Sequence, residues 1–241
     1  MSDQFGAVTR TVPAGFDAYA RILHPVDPGA EAQLRWSAVA QHNGRIMHPL
    51  AQYARISRPA PGRTELTPLA NVQAPRTGEL EPASLRALCD VLAHHTVAPA
   101  RCWFAVWEGR GDPEPGEQVL AACLGGPPPP PRPAPAEWQL DLHAPKFELP
   151  HRVYYLFTGL LDDAVRIGLW ATYDWFLPRS PNLFWPDDRS WCVAGEVDFD
   201  STLVAGTAGL IDEILQRGDL EAWPVGPDDS MAYDGDTINE R

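Results

Sequence analysis

The 241-residue sequence predicts an α+β fold, a mixed or mostly antiparallel sheet with helices packed on one face. Three observations lead there. Short apolar runs at 102–107 and 152–158 have the length of covered strands, and apolar residues alternate at 191–199 with the period of two that strands show. Helical spacing is confined to a few short segments, and the two patterns follow one another without the βαβ rhythm of a parallel sheet. Proline, at 26 residues, is about twice its ordinary usage, so long regular elements are repeatedly interrupted.

Taken in order, residues 1–15 are polar, contain Pro13 and Gly15, and predict a loose arm. Residues 16–23 form a short strand or helix ending at the His24-Pro25 break. Leu34, Ser37, Ala38 and Gln41 have helical spacing, and Asn43-Gly44 supplies the stop. Residues 50–56 are a short apolar piece of open type, and 57–81 an irregular connection. The clearest helix starts at Pro82, where a first-turn proline is tolerated, and places Leu85, Leu88, Cys89 and Leu92 on one face. It ends near His94-His95. The run 102–107 is apolar on both faces, as in a covered central strand. Prolines 127–131, 133 and 135 predict a stiff polyproline rod that cannot join a sheet. Residues 152–158 are a further strand, 160–170 a short helix and 177–186 a Pro-bounded loop.

The stretch 185–205 organises the rest. Trp191, Val193, Val197 and Phe199 share one side of a predicted strand, while Glu196, Asp198 and Asp200 share the other. Thr207 then caps a final helix with Ile211, Ile214 and Leu215 facing inward and Asp212 and Glu213 facing out. Residues 221–225 form a last strand. The expected organisation is a single domain over 1–241, with an irregular Pro-rich excursion at about 125–136 and a loose acidic tail at about 227–241.

The net charge of −13 is unevenly spread. Residues 185–241 hold 14 acids against Arg189, Arg217 and Arg241, a net −11; the remaining 18 acids and 16 bases leave −2 for residues 1–184. Such a region repels phosphate backbones and suits a basic protein or a cation, so no nucleic-acid partner is expected. Lys146 is the only lysine, which argues against lysine-dependent chemistry. Cys89, Cys102, Cys123 and Cys192 lack C-x-x-C spacing. The N-terminus has no apolar run, so neither a leader nor a membrane partner is expected and the cytoplasm is the expected compartment.

No H-E-x-x-H, G-x-S-x-G or Gly-rich phosphate loop is present, so no catalytic residue is assigned. Glu196, Asp198 and Asp200 are hard oxygen donors suited to a divalent cation, the one cofactor the sequence suggests. At ~3.3 Å per residue, three side chains along one strand span about 13 Å, so a single ion needs help from elsewhere, with Glu108 or His151 conceivable. The loop 181–189 combines Asn182, Phe184, Trp185, Asp187, Asp188 and Arg189, a mixture suited to partner contact. Trp103, Trp107, Trp170, Trp175, Trp185 and Trp191 are numerous enough for some to line a ligand pocket.

Asp198-Phe199-Asp200-Ser201-Thr202-Leu203 resembles the D-x-D-x-T-L signature of haloacid dehalogenase-like phosphatases, in which Asp198 would be nucleophile and Asp200 acid/base. That likeness covers six residues; only 39 residues and no lysine follow Thr202, too little for the family's later elements, and the match is coincidental. The runs C-W-F-A-V-W-E-G at 102–109 and S-P-N-L-F-W-P-D-D-R-S-W-C-V-A-G-E-V-D-F-D-S-T at 180–202 look like those of a family of actinobacterial proteins of about this length, from which no activity or site carries over. The leading expectation is a non-enzymatic cytoplasmic binding protein whose acidic C-terminal quarter contacts a basic protein partner. The alternatives are a small metal-dependent hydrolase using Glu196, Asp198 and Asp200, and a small-molecule sensor with a Trp-lined pocket. Oligomeric state is left open.

Overall fold

Strands whose alternate residues face two different cores set the architecture. The computed structural model describes residues 6–26, 34–63, 72–110, 143–150, 152–172 and 175–240. The Pro-rich excursion expected at about 125–136 lies outside the described residues.

In place of a loose arm, the described residues open with a one-turn helix, α1 (Val8–Thr11). Val8 and Val12 are buried, and the Val8 N–H donates to the Asp229 carbonyl at 3.0 Å. Burying two valines offsets the cost of ordering the segment. β1 (Ala18–Leu23) settles the strand-or-helix choice as strand. Next, α2 (Trp36–Asn43) ends at Gly44, whose φ of 68° is the left-handed stop the Asn-Gly pair predicts. The short apolar piece is a single turn, α3 (Tyr53–Ile56).

α4 (Pro82–His94) begins at the expected proline, and the Glu81 carboxylate caps it by accepting from the Ala83 and Ser84 N–H groups. Its Leu85, Leu88 and Leu92 are buried, each contributing roughly 1.5–3 kcal/mol. β2 (Cys102–Trp107), β3 (Lys146–Leu149) and β4 (Arg152–Gly159) follow. Where a short helix was expected at 160–170, the chain makes a 3-10 turn at Leu161–Val165 and then the ribbon β5 (Gly168–Thr172) and β6 (Trp175–Pro178). The expected loop 177–186 contains a strand, β7 (Leu183–Pro186). β8 (Cys192–Ala194), β9 (Ser201–Gly206), α5 (Ala208–Gln216) and β10 (Ala222–Val225) complete the order.

Eight strands form one antiparallel sheet in the order β10-β1-β9-β8-β7-β2-β4-β3. This is the α+β architecture the sequence predicts. On one face Ala20, Ile22, Phe104, Phe184, Val193 and Val204 lie beneath the two long helices, α4 and α5. Trp191, fully buried, donates its indole N–H to the Leu92 carbonyl at 3.1 Å and so ties α4 to the sheet. The other face is closed over β1, β9 and β8 by short pieces. Tyr19, Leu203 and Ala205 meet Val8, Val12, Phe199 and Met231, while Leu23 meets Trp36, Val39 and Ile56.

Two expectations are corrected. The strand predicted over 191–199 stops after Ala194: a last ladder bond joins the Gly195 N–H to the Asn182 carbonyl, and a Phe199 N–H to Glu196 carbonyl bond then turns the chain. Gly78, at φ 74°, presses its backbone against Val197 there, so that a Cβ would lie 2.8 Å from the Val197 Cα. The tail at 227–241 is not loose through residue 240: Met231, Asp236 and Asn239 are buried. The Asp236 carboxylate accepts from the Gln52 N–H at 3.0 Å and from His48 Nε2 at 2.8 Å, and Asn239 exchanges two hydrogen bonds with the Ile46 backbone.

Candidate functional site

Because residues 195–200 form a turn, the three carboxylates expected on one strand face are divided between two arginines. Arg152 on β4 pairs with Glu196 and, at 3.4 Å, with Asp198; its guanidinium lies 4.6 Å from the centre of the Trp107 ring. Burial pushes the Glu196 carboxyl above its ordinary value against the pull of Arg152. Asp200 faces Arg21 at 3.4 Å, and burial raises its carboxyl likewise. Arg21 is itself buried on β1, donating to Ser201 Oγ at 2.9 Å and to the Pro49 and Ala51 carbonyls. Glu108 is held by Lys146 at 2.5 Å, and His151 lies outside the described residues. Among the described residues no group of three or more His, Cys, Asp or Glu side chains converges on a point that would hold a metal ion.

The predicted contact loop is built largely into the fold. Asn182 is buried, accepting from the Trp107 N–H at 2.9 Å and donating to the Gly195 carbonyl at 3.3 Å. Phe184 belongs to the core, stacked at 6.0 Å on Phe104. Asp187 binds Arg101 at 2.9 Å and the Trp103 indole at 3.3 Å, and Asp188 accepts from Thr96, Val97 and Ser190. Trp185 stays half-buried opposite Trp103, and Arg189 is exposed at a left-handed φ of 56°.

Three cysteines and one histidine among the described residues are equally quenched. Burial pushes the Cys89, Cys102 and Cys192 thiols up to about 12, 11 and 12, far from thiolate chemistry at neutral pH. His24 is buried and neutral. Its Nδ1–H donates to the Arg76 carbonyl at 2.6 Å, leaving Nε2 to accept from the Thr202 hydroxyl at 2.9 Å.

Among the described residues a cleft of about 480 Å³ opens at the β10 end of the sheet, between α5, β10 and the segment entering β1. Phe16, Ile211, Leu215, Pro224 and Pro227 give it apolar walls, and Asp17 and Asp212 give it two exposed carboxylates. Asp228 is exposed next to Pro227. Most of the lining comes from the acidic quarter. Among the described residues no tryptophan lines it. Sequence reasoning placed Asp212 on the outer face of the last helix, but it did not find the cleft, because Asp17 and Phe16 arrive from a segment some 200 residues away. The neighbouring carboxylates are occupied elsewhere: Glu221 accepts from the Trp36 and Ser37 N–H groups, Asp229 from the Gly226 N–H, Asp219 pairs with Arg217, and Glu213 with His94 and His95.

No family model, curated protein or solved structure matches the chain. Among the described residues no helix is long and apolar enough to cross a membrane.

Proposed function

We propose that the chain is a non-enzymatic binding protein that receives a basic segment of a protein partner in the cleft between α5, β10 and the entry to β1. The observation that carries this reading is the pairing of apolar walls with Asp17 and Asp212, two exposed carboxylates that no hydrogen bond or ion pair engages among the described residues. A Lys or Arg side chain lays an apolar stem along such walls while its charge meets the carboxylates. The surrounding excess of negative charge accelerates encounter with cationic partners and repels polyanions.

Fluorescence anisotropy of labelled peptides that alternate basic and apolar residues tests this reading. Binding at low salt should weaken by about tenfold in Asp17→Lys/Asp212→Lys, and by a similar amount near 1 M salt, where the Debye length falls to about 3 Å. Binding indifferent to both changes, or none with any peptide, would contradict it.

A further inference from the structure

At the end of the sheet opposite the cleft, β3 is the terminal strand, paired with β4 on one side and with no described strand on the other. The two ends of the sheet differ in kind. β10 carries Pro224, whose missing N–H spoils that edge for pairing. β3 reads Lys-Phe-Glu-Leu with no internal proline and is bounded by Pro145 and Pro150.

Hydrogen-bond parity decides which groups that edge presents. The Leu156 N–H donates to the Pro145 carbonyl at 2.8 Å, which extends the β3–β4 register by one step. In an antiparallel ladder, backbone groups on one strand face the partner at every second residue. Those of 145, 147 and 149 therefore face β4, and those of Lys146 and Glu148 face away. Side chains alternate as well: Lys146 and Glu148 share one sheet face, Phe147 and Leu149 the other. Lys146 and Glu148 are exposed, and Leu149 is 40% exposed, one of the few large apolar residues so placed.

From this edge we infer that a second copy of the chain adds antiparallel to β3, with Phe147 opposite Phe147 of the second copy. That register puts Lys146 opposite Glu148 twice and joins the two strands by four backbone hydrogen bonds through the outward N–H and C=O groups of those residues. Phe147 meets its counterpart at the closely spaced, non-hydrogen-bonded position, where side chains approach most nearly. Leu149 falls opposite Pro145 and loses its exposure. The neighbouring registers fail on charge, since centring on Lys146 or on Glu148 sets like charges face to face. Shifts toward Pro150 lose a donor. The strand is thus self-complementary in one register. A seam of four residues buries less than the ~1,000 Å² of a stable interface, so the dimer is weak and concentration-dependent.

Sedimentation velocity of the full chain over a wide concentration range is the test, with circular dichroism to check folding. Wild type should show reversible monomer–dimer exchange. Glu148→Lys, at a side chain that no hydrogen bond or ion pair engages among the described residues, and Lys146→Glu should each weaken the dimer by about tenfold or more, since both cross-strand pairs become repulsive. Lys146→Glu also loses the Glu108 contact. An equimolar mixture of the two single variants pairs Glu with Lys at every position and should restore dimer, as should the double swap. A wild type monomeric at all concentrations, an unaffected Glu148→Lys, or a mixture that stays monomeric would overturn the inference. The β3 edge and the cleft lie at opposite ends of the sheet, so either can fail without the other.

Discussion

His24 shows how a single buried side chain ties this fold to pH. With one nitrogen donating to Arg76 and the other accepting from Thr202, the ring is neutral, and burial together with nearby Arg21 lowers its pKa to about 4 from an ordinary 6.5. The sign follows from linkage: below 6.5 the unfolded chain takes up a proton that the folded chain refuses until about 4. His24 therefore contributes stability above pH 6.5 that is lost as pH falls to 4, roughly 3 kcal/mol at ~1.4 kcal/mol per unit. Urea melts across this window should show the loss in wild type and a flatter profile in His24→Gln. A second residue runs the other way. Arg189 holds a left-handed φ of 56° in an exposed turn, a conformation costing an L-residue roughly 1–2 kcal/mol. Arg189→Gly should raise the thermal midpoint, with about 1 kcal/mol gained; an unchanged or lower midpoint would show the turn to be unstrained.

Among the elements, those carried by local periodicity were legible. Helix α4 with its proline start, strands β2 and β4, and α5 with its Thr207 cap, which accepts from the Leu210 N–H, all follow the apolar spacing. What periodicity missed was decided at long range. The alternation through Val197 and Phe199 survives the chain reversal at 195–200, so a hairpin turn looked like continued strand; Phe199 reaches the core of the opposite face from Val193. β7 hid among prolines, since its short run gains meaning only from pairing with β2 and β8. The tail looked loose because its acids were counted as surface charge. Asp236 is instead a buried acceptor: burial opposes its charge, yet bonds from Gln52, Asn239 and His48 outweigh that and hold its carboxyl below its ordinary value. Asp236→Ala should cost about 3 kcal/mol by stranding buried donors, read as a lower urea midpoint; a loss under ~0.5 kcal/mol, the level of an ordinary surface change, would mean the segment contributes little.

For the molecule as a whole, the charge count located most of the excess acid but could not separate engaged carboxylates from exposed ones. Glu196, Asp200, Glu221, Asp229 and Asp236 are engaged by arginines, backbone N–H groups or a histidine. Asp17 and Asp212 are left at the cleft, one of them contributed from outside the acidic quarter. Sequence reasoning had no means of separating spent acids from free ones, because their partners, Arg21, Arg152 and His48, are distant in the chain. Under the two proposals the ends of the sheet carry different tasks, the β10 cleft receiving a basic partner and the β3 edge pairing with a second copy. Amide chemical-shift mapping, during titration with a basic-apolar peptide at low salt, would locate the peptide on the protein. Saturable shifts should be confined to residues 14–19, 208–215 and 224–227, the three segments of the cleft, and should be lost in Asp17→Lys/Asp212→Lys. Shifts scattered over Asp187, Asp188, Asp198 and Asp234, or persisting in the double variant, would contradict binding in the cleft.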